Sequence, residues 1–285
     1  MKLSRPDADI FLPKVSAGLA PSAALARTTH LCVIAHQDDI EINAYPAVAE
    51  CYGRADRFFT GVVMTNGAGS ARSGKYESVT DADMQRIRRE EQRTAATLGK
   101  YNLQLQLAHP SADVKSPGHP GVVADLAAIF GGCRPSVVYL HQPADKHDTH
   151  IACLLRCLEA LRALPRAQRP ARVLGVEGWR DLDWLADDTK VPLDASAHPA
   201  LAEELVAVFA SQIAGGKRYD LAALGRRLAN ATFFASHATD TASALSFAMD
   251  LTPLVNDESL SVADFTTTHI DRLRADVATR IKKFG

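Results

Sequence analysis

Short apolar runs recur along the first half of the sequence, and each is followed by a polar loop and then by a stretch with helical periodicity. The clearest apolar runs cover residues 31–34, 58–64, 103–107 and 136–140. Helical patterns cover residues 40–52, 83–98 and 122–130, and another begins near residue 150. This alternation of strand and helix predicts a Rossmann-like α/β fold, with a mostly parallel sheet and helices on both of its faces.

The second half carries fewer strand signals. Residues 172–177 have the pattern of one more strand, and the turn at 178–184 is rich in tryptophan and charge. Helices are predicted at residues 199–212, 221–229, 242–249 and 263–283. Because no repeat or Pro/Gly-rich linker divides the chain, we expect a single domain over residues 1–285. Its core would cover about 29–195, and residues 196–285 would form a mostly helical C-terminal segment packed on that core.

The first apolar run ends in a cluster of polar side chains. His36 and Asp39 lie three residues apart across the predicted strand-to-helix turn, so both can reach one point just beyond the strand. His150 follows the run at 136–140 and is expected at the same edge of the sheet. Zinc binds histidine nitrogens and carboxylate oxygens, and catalytic sites keep a fourth position open. The sequence therefore predicts a metal site formed by His36, Asp39 and His150, with Asp38 as the base that takes a proton from a metal-activated water.

These residues resemble the PIG-L, or LmbE-like, family of zinc-dependent N-deacetylases. The family has an Ala-His-Pro-Asp-Asp-x-Glu motif after its first strand and a His-x-x-His motif after a later one, and residues 35–41 and 147–150 match them in order. Residues 64–67 are similar to its glycine-bearing loop, and residues 88–99 to its Arg/Glu-rich helix. Gln37 stands where the family has proline, and Asp148 and Thr149 replace the usual Pro-Asp pair.

The resemblance implies removal of an N-acetyl or other N-acyl group from an amino sugar or glycoconjugate. It also implies one Zn²⁺ per chain, although Fe²⁺ or Co²⁺ could occupy the same ligands. His147 would then stabilise the tetrahedral oxyanion or protonate the leaving amine. Because members of the family often assemble into rings, we expect a homo-oligomer.

Other side chains near these motifs are weaker candidates. The candidates for substrate contact are Asn66, Gly67, Arg88, Lys146, Trp179 and Arg180. The candidates for a supporting role are Glu41, which could orient a ligand, and Asp145 and Asp148, which could orient His147. Each type also has a purely structural interpretation, as a tight-turn residue, a solvated charge, a core tryptophan or an acid at a helix N-terminus.

Composition limits the partners and the location. The formal net charge of −1 gives no electrostatic reason to bind nucleic acid or an anionic membrane, so a small-molecule substrate is expected. No segment approaches the roughly 20 apolar residues of a membrane span, and residues 1–10 lack the layout of a secretion signal, which predicts a cytoplasmic protein. The five cysteines lie mostly in apolar segments, which indicates reduced core thiols, Cys153 and Cys157 included.

Two other functions fit the same residues. The scaffold is known to host a hydratase, which adds water to an unsaturated carboxylic acid, and Lys146 and Arg180 would then be candidates for binding the acid. The second alternative is a metal-binding or carbohydrate-binding protein without turnover. Asp38 argues against it, because a structural site has no use for a base beside the metal.

Overall fold

The computed structural model describes residues 1–285 and contains one eight-stranded sheet with helices packed on both faces. The strands are β1 (Asp9–Phe11), β2 (His30–Ile34), β3 (Phe59–Thr65), β4 (Leu103–His109), β5 (Val137–His141), β6 (Val173–Val176), β7 (Lys190–Asp194) and β8 (Leu245–Asp250). The helices are α1 (Pro21–Ala26), α2 (Asp39–Asn43), α3 (Tyr45–Cys51), α4 (Asp81–Leu98), α5 (Ser111–Lys115), α6 (Pro120–Gly131), α7 (Asp148–Arg162), α8 (Pro199–Ala207), α9 (Ala210–Ile213), α10 (Tyr219–Phe233), α11 (Thr252–Asn256) and α12 (Val262–Phe284).

The order of strands across the sheet is β1-β4-β3-β2-β5-β6-β8-β7. Neighbours from β4 to β6 run parallel, whereas β1, β8 and β7 pair antiparallel. The chain builds outward in one direction from β2 and then in the other from β5, so these two strands meet at the topological switch point. Ligands of such sheets bind beyond the carboxyl ends of the strands at that point. The predicted Rossmann-like α/β class is confirmed.

The central strand β2 shows why short apolar runs give a strand here. All five of its residues are buried. Leu31 and Val33 belong to a core cluster on one face of the sheet, and Cys32 and Ile34 belong to a second cluster on the other. A strand buried on both faces needs apolar residues at every position, which is typical of parallel sheets with helices on both sides.

The helix predicted over residues 40–52 is two helices, α2 and α3. Proline fits in the first turn of a helix but cannot donate a backbone hydrogen bond in its interior. Pro46 lies in the first turn of α3, and the break falls at Ala44. The helix predicted over 199–212 is likewise divided, into α8 and α9.

The helix predicted over residues 242–249 is wrong, because residues 245–250 form strand β8. Leu245, Phe247 and Met249 pack in one core cluster and Ala248 packs in the other, which is the two-residue alternation of a strand. β8 lies between β6 and β7 and pairs antiparallel with both. The segment after residue 195 therefore adds a strand to the sheet as well as helices.

The cysteine prediction is confirmed, since all five thiols are free and buried. Cys153 and Cys157 lie in the larger core cluster. No helix of the chain combines the length and the apolar character that crossing a lipid bilayer requires.

Candidate metal centre

The loop after β2 holds Asp38 in an unusual backbone conformation. Its φ of 93° lies in a region that residues other than glycine rarely adopt, at a cost of about 1–3 kcal/mol. Helix α4 holds the loop in place. The Asp38 N–H donates to Gln92 Oε1 at 3.3 Å, and Arg88 Nη2 donates to the carbonyl of Gln37 at 2.6 Å. Strain of this kind is concentrated at functional sites, and here it falls on the predicted base.

Three donor atoms converge at the carboxyl ends of β2 and β5. Asp39 Oδ2 lies 3.0 Å from His36 Nδ1 and 3.3 Å from His150 Nε2, and these two nitrogens are 3.3 Å apart. Asp39 and His150 are buried, while His36 is partly exposed. The structure thus brings together the three residues that the sequence predicts as metal ligands.

These separations suit a metal ion. A tetrahedral zinc at about 2.05 Å from each nitrogen or oxygen holds its ligand atoms about 3.3 Å apart. The three separations of 3.0, 3.3 and 3.3 Å therefore need little adjustment. The donor set of two imidazoles and one carboxylate is also one that catalytic zinc uses. A second cluster, His141, Asp145 and His150, is entirely buried. Its His141 Nε2 already accepts a hydrogen bond from the N–H of Ala35 at 2.9 Å.

Asp145 orients His150 and the loop around it. Its Oδ2 accepts from His150 Nδ1 at 3.2 Å and from the N–H of Trp179 at 3.1 Å. Its Oδ1 accepts from the N–H groups of Lys146 and His147 at 2.5 and 3.1 Å. The sequence predicted that Asp145 or Asp148 orients the His147 side chain. The carboxylate of Asp145 instead contacts the His150 ring, and Asp148 is exposed with no side-chain hydrogen bond to His147.

The protonation of the two histidines differs because their neighbours differ. Burial lowers the pKa of His150, but the carboxylates of Asp39 and Asp145 outweigh it and raise that pKa to about 10. Burial and the positive charge on His150 and His36 lower the pKa of His147 to about 4. His147 Nδ1 accepts from the N–H of Thr149 at 3.2 Å, which leaves Nε2 to carry the proton of the neutral ring.

The predicted base lies beside the three donors. Burial raises the pKa of the Asp38 carboxyl well above its ordinary value, and the charge of Arg88 opposes part of that rise. Arg88 Nη2 is 3.7 Å from Asp38 Oδ1, and its Nη1 donates to Ser70 Oγ at 2.7 Å. Arg88 therefore braces the Asp38 loop from α4 as well as facing the cavity.

Glu41 stabilises the Asp38 loop through a hydrogen bond to Gln92. Its Oε1 accepts from Tyr101 Oη at 2.7 Å and from Gln92 Nε2 at 2.9 Å. Burial raises the pKa of Glu41 to about 7, against the effect of these hydrogen bonds. Since Gln92 also accepts from the Asp38 N–H, Glu41 is linked to Asp38 through one side chain.

A cavity of about 310 Å³ opens over the three donors, a volume within the range of small-molecule sites. Of the predicted residues, it is lined by His36, Asp38, Asp39, Asn66, Gly67, Arg88, His147 and Trp179. Lys146 and Arg180 do not line it. The Arg180 side chain donates instead to the carbonyl of Ala144 at 2.6 Å.

Several residues around this cavity and the three donors were not predicted from the sequence. Lys115 and Ser111 come from α5, and Gln212 and Tyr219 come from the C-terminal segment. His141, at the end of β5, stacks on His150 with ring centroids 3.9 Å apart. Its position directly after an apolar run was a usable signal. Gln212 and Tyr219 had none, because only the folded chain brings them to the switch point.

The comparisons with known proteins agree with this geometry. Residues 31–161 match the model of the PIG-L family, described as GlcNAc-PI de-N-acetylase. No curated protein sequence matches the chain.

Solved structures similar to the chain share its fold at low identity. A conserved protein of Thermus thermophilus has a TM-score of 0.60 and 18% identity, covering 78% of this chain and 94% of its own. The 4-carboxy-2-hydroxymuconate hydratase of Pseudomonas putida has a TM-score of 0.59 and 18% identity, covering 79% and 96%. The N,N'-diacetylchitobiose deacetylase of Pyrococcus horikoshii has a TM-score of 0.59 and 16% identity, covering 78% and 84%.

The matched segment runs from β2 to the end of α7 and so contains both loops that meet at the switch point. Residues 31–161 are therefore similar to the PIG-L family, and this matched segment supplies every side chain of the His36, Asp39 and His150 cluster.

Proposed function

We propose that the protein is a metal-dependent N-deacetylase acting on an N-acetylated amino sugar or glycoconjugate. The observation that carries this proposal is the convergence of His36 Nδ1, Asp39 Oδ2 and His150 Nε2 below an open cavity, with the carboxyl of Asp38 beside them. The family match supports the same reaction, because it covers both motif loops.

The proposed ligands are His36, Asp39 and His150, and the proposed metal is Zn²⁺. When bound there, zinc supplies Lewis acidity, which polarises the acyl carbonyl and acidifies water. Asp145 keeps the Nδ1 proton of His150 engaged, so that Nε2 faces the other two donors.

The remaining chemistry is assigned to two side chains. The Asp38 carboxylate takes the proton of the attacking water, and burial makes it a stronger base than an exposed aspartate. His147, neutral and protonated on Nε2, donates a hydrogen bond to the oxyanion that develops from the acyl oxygen. Proton transfer from Asp38 to the leaving nitrogen then releases acetate and a free amine.

The first experiment is metal analysis of tag-free protein beside the His150→Ala variant, followed by assay of acetate release from N-acetylglucosamine. We expect about one zinc per chain, lost in the variant. Asp38→Asn should keep the metal and lose at least about a hundredfold in kcat, since general-base catalysis contributes about 10²–10⁴-fold. A protein that holds no metal after zinc is offered would leave a binding role without turnover as the better assignment.

One observation favours the hydratase as a second candidate. Lys115 lines the cavity and could hold the carboxylate of an unsaturated acid. Arg88 is less suited, because Asp38, Ser70 and the Gln37 carbonyl already engage it. Loss of absorbance of a conjugated unsaturated acid, abolished by Lys115→Met, would identify this reaction in place of acetate release.

A further inference from the structure

Two more cavities adjoin the one over the candidate metal centre. A cavity of about 160 Å³ shares Trp179 and Tyr219 with it, and a third of about 420 Å³ shares Glu177 and Arg226 with the second. The three cavities thus lie in a row along one face of α10, each adjoining the next, and we call this row the α10 groove. The residues of α10 that line this groove along one face of the helix include Tyr219, Ala222, Arg226, Ala229 and Phe233.

The dimensions of the groove follow from the sequence of α10. The helix has 15 residues and therefore extends about 22 Å, so the groove is long enough for several sugar rings. The small residues Ala222, Ala223 and Ala229 give it depth. α10 lies outside residues 31–161, so this surface is not part of the segment that matches the family.

Two residues that line the second cavity each carry a buried polar atom without a partner, just behind the cavity wall. Glu177 Oε1 accepts from Asn230 Nδ2 at 2.7 Å, whereas Glu177 Oε2 has no hydrogen bond. Arg227 Nη2 donates to the carbonyl of Glu41 at 2.6 Å, whereas Arg227 Nη1 has no acceptor. Both residues are more than nine-tenths buried, and both line the second cavity. A buried polar atom without a partner is costly, so a turn of either side chain toward a ligand that supplies a donor or an acceptor in the cavity would be favourable.

We propose that the α10 groove binds an uncharged oligosaccharide that extends from the candidate metal centre toward Phe233. Sugar hydroxyls both donate and accept, which suits the free atoms of Glu177 and Arg227. Aromatic rings lie along the path. Trp179 and Tyr219 stack on each other at the start, with ring centroids 5.0 Å apart, and the side chain of Phe233 is 81% exposed at the end. Aromatic faces with adjacent hydrogen-bonding groups are suited to sugar rings.

The charges of the groove argue against other ligands. A fatty acyl chain would cover Glu177, Arg226 and Arg227 with hydrocarbon, which leaves charged groups desolvated and unpaired. In the third cavity the acids Glu177, Asp181 and Asp183 are balanced by Arg226 and Lys190, and Lys190 pairs with Asp183 at 3.2 Å, so neither an anionic nor a cationic chain finds a cavity of opposite charge. A neutral peptide also has donors and acceptors, so the experiment must separate it from a glycan.

The test measures binding by calorimetry to the full-length Asp38→Asn variant, which does not consume the ligand. The probes are N-acetylglucosamine and its β-1,4-linked dimer, trimer and tetramer. We expect the trimer to bind about tenfold more tightly than the monomer. Ala229→Trp fills the third cavity and should remove most of that gain. Ala222→Trp, at an exposed position in the second cavity, should do the same, and thermal melting confirms that each variant is folded.

Leu228→Trp is the matched control, because this neighbouring residue on α10 is 58% exposed and lines none of the three cavities. It should keep the full gain with chain length. Equal affinity for all four sugars would overturn the proposal, as would a length effect that survives both filling variants. Equal binding of an N-acetylated neutral peptide would assign the groove to peptides instead.

The catalytic consequence rests on the proposed deacetylase function, and the two can fail separately. With zinc-loaded wild-type protein, kcat/KM should rise with chain length by the same factor as affinity. Acetate release from the monomer without any dependence on length would refute the groove and keep the deacetylase. Length-dependent binding without acetate release from any sugar would refute the deacetylase and keep the groove.

Discussion

Replacing Asp145 by asparagine tests the support of the metal centre without removing a proposed ligand. The carboxylate accepts four hydrogen bonds, two at each oxygen, from His150 Nδ1 and from three backbone N–H groups. Asparagine keeps the shape but replaces one oxygen by an NH₂ group. Whichever way the amide turns, two of the four donors then face another donor.

The magnitude follows from these contacts. Hydrogen bonds to a charged group contribute about 1.5–3 kcal/mol each, so losing two lowers the free energy of unfolding by about 3 kcal/mol or more. Asparagine also removes the negative charge beside His150 Nδ1. Loss of such a partner to a ligating histidine costs about 10–100-fold in metal affinity, which corresponds to about 1.4–2.7 kcal/mol.

The assay is competition for zinc between the protein and a chromophoric chelator, with urea unfolding measured in parallel. Asp148→Asn is the matched control, because Asp148 begins α7 only three residues further along but is exposed, and it should leave both quantities unchanged. An Asp145→Asn variant that binds zinc within twofold of wild type would refute the assignment of Asp145 as the residue that orients His150.

Three further predictions concern the scaffold around the site. Arg227→Met should lower the free energy of unfolding in urea by about 2–4 kcal/mol. Two backbone carbonyls would lose their donor, and Tyr45 would lose a cation that lies 4.8 Å from its ring centre. Arg218→Met, at an exposed position, should leave the free energy of unfolding unchanged. Gly67→Ala should reduce acetate release at least about tenfold, since Gly67 has a φ of +77° and a Cβ there would lie 2.7 Å from Gln37 Oε1. Gly131→Ala, at the end of α6 and away from the cavity, meets nothing within 4 Å and should leave acetate release unchanged. Iodoacetamide should label none of the five buried cysteines in the native protein and all five after unfolding; a rapidly labelled native thiol would contradict the packing.

The centre of the fold and the proposed ligands could be predicted because they depend on local sequence alone. An apolar run followed by histidine and aspartate predicts both a buried strand and a group of possible metal ligands at its carboxyl end. Two such runs in parallel neighbouring strands must place their ends together, so the sequence predicts that His36, Asp39 and His150 lie close to one another, as they do.

The contacts of loops and the distant segments could not be predicted in the same way. Which histidine Asp145 contacts depends on how residues 142–147 turn, and no periodicity fixes that. β8 was mistaken for a helix because a short apolar run with alanine fits both patterns until a partner strand is known. Tyr219 reaches the cavity only because α10 packs beside β8 and the switch point.

The position of β8 also has a consequence for how the protein is made. β8 pairs with β6 and with β7, yet it is synthesised after both, with three helices in between. While residues 177–244 leave the ribosome, the parallel strands β4 to β6 can already assemble, but β6 then has an open edge and β7 has no partner. Unpaired strand edges attract other chains. The nascent protein is therefore most prone to aggregation during this interval, and slower translation there would prolong its exposure until β8 emerges.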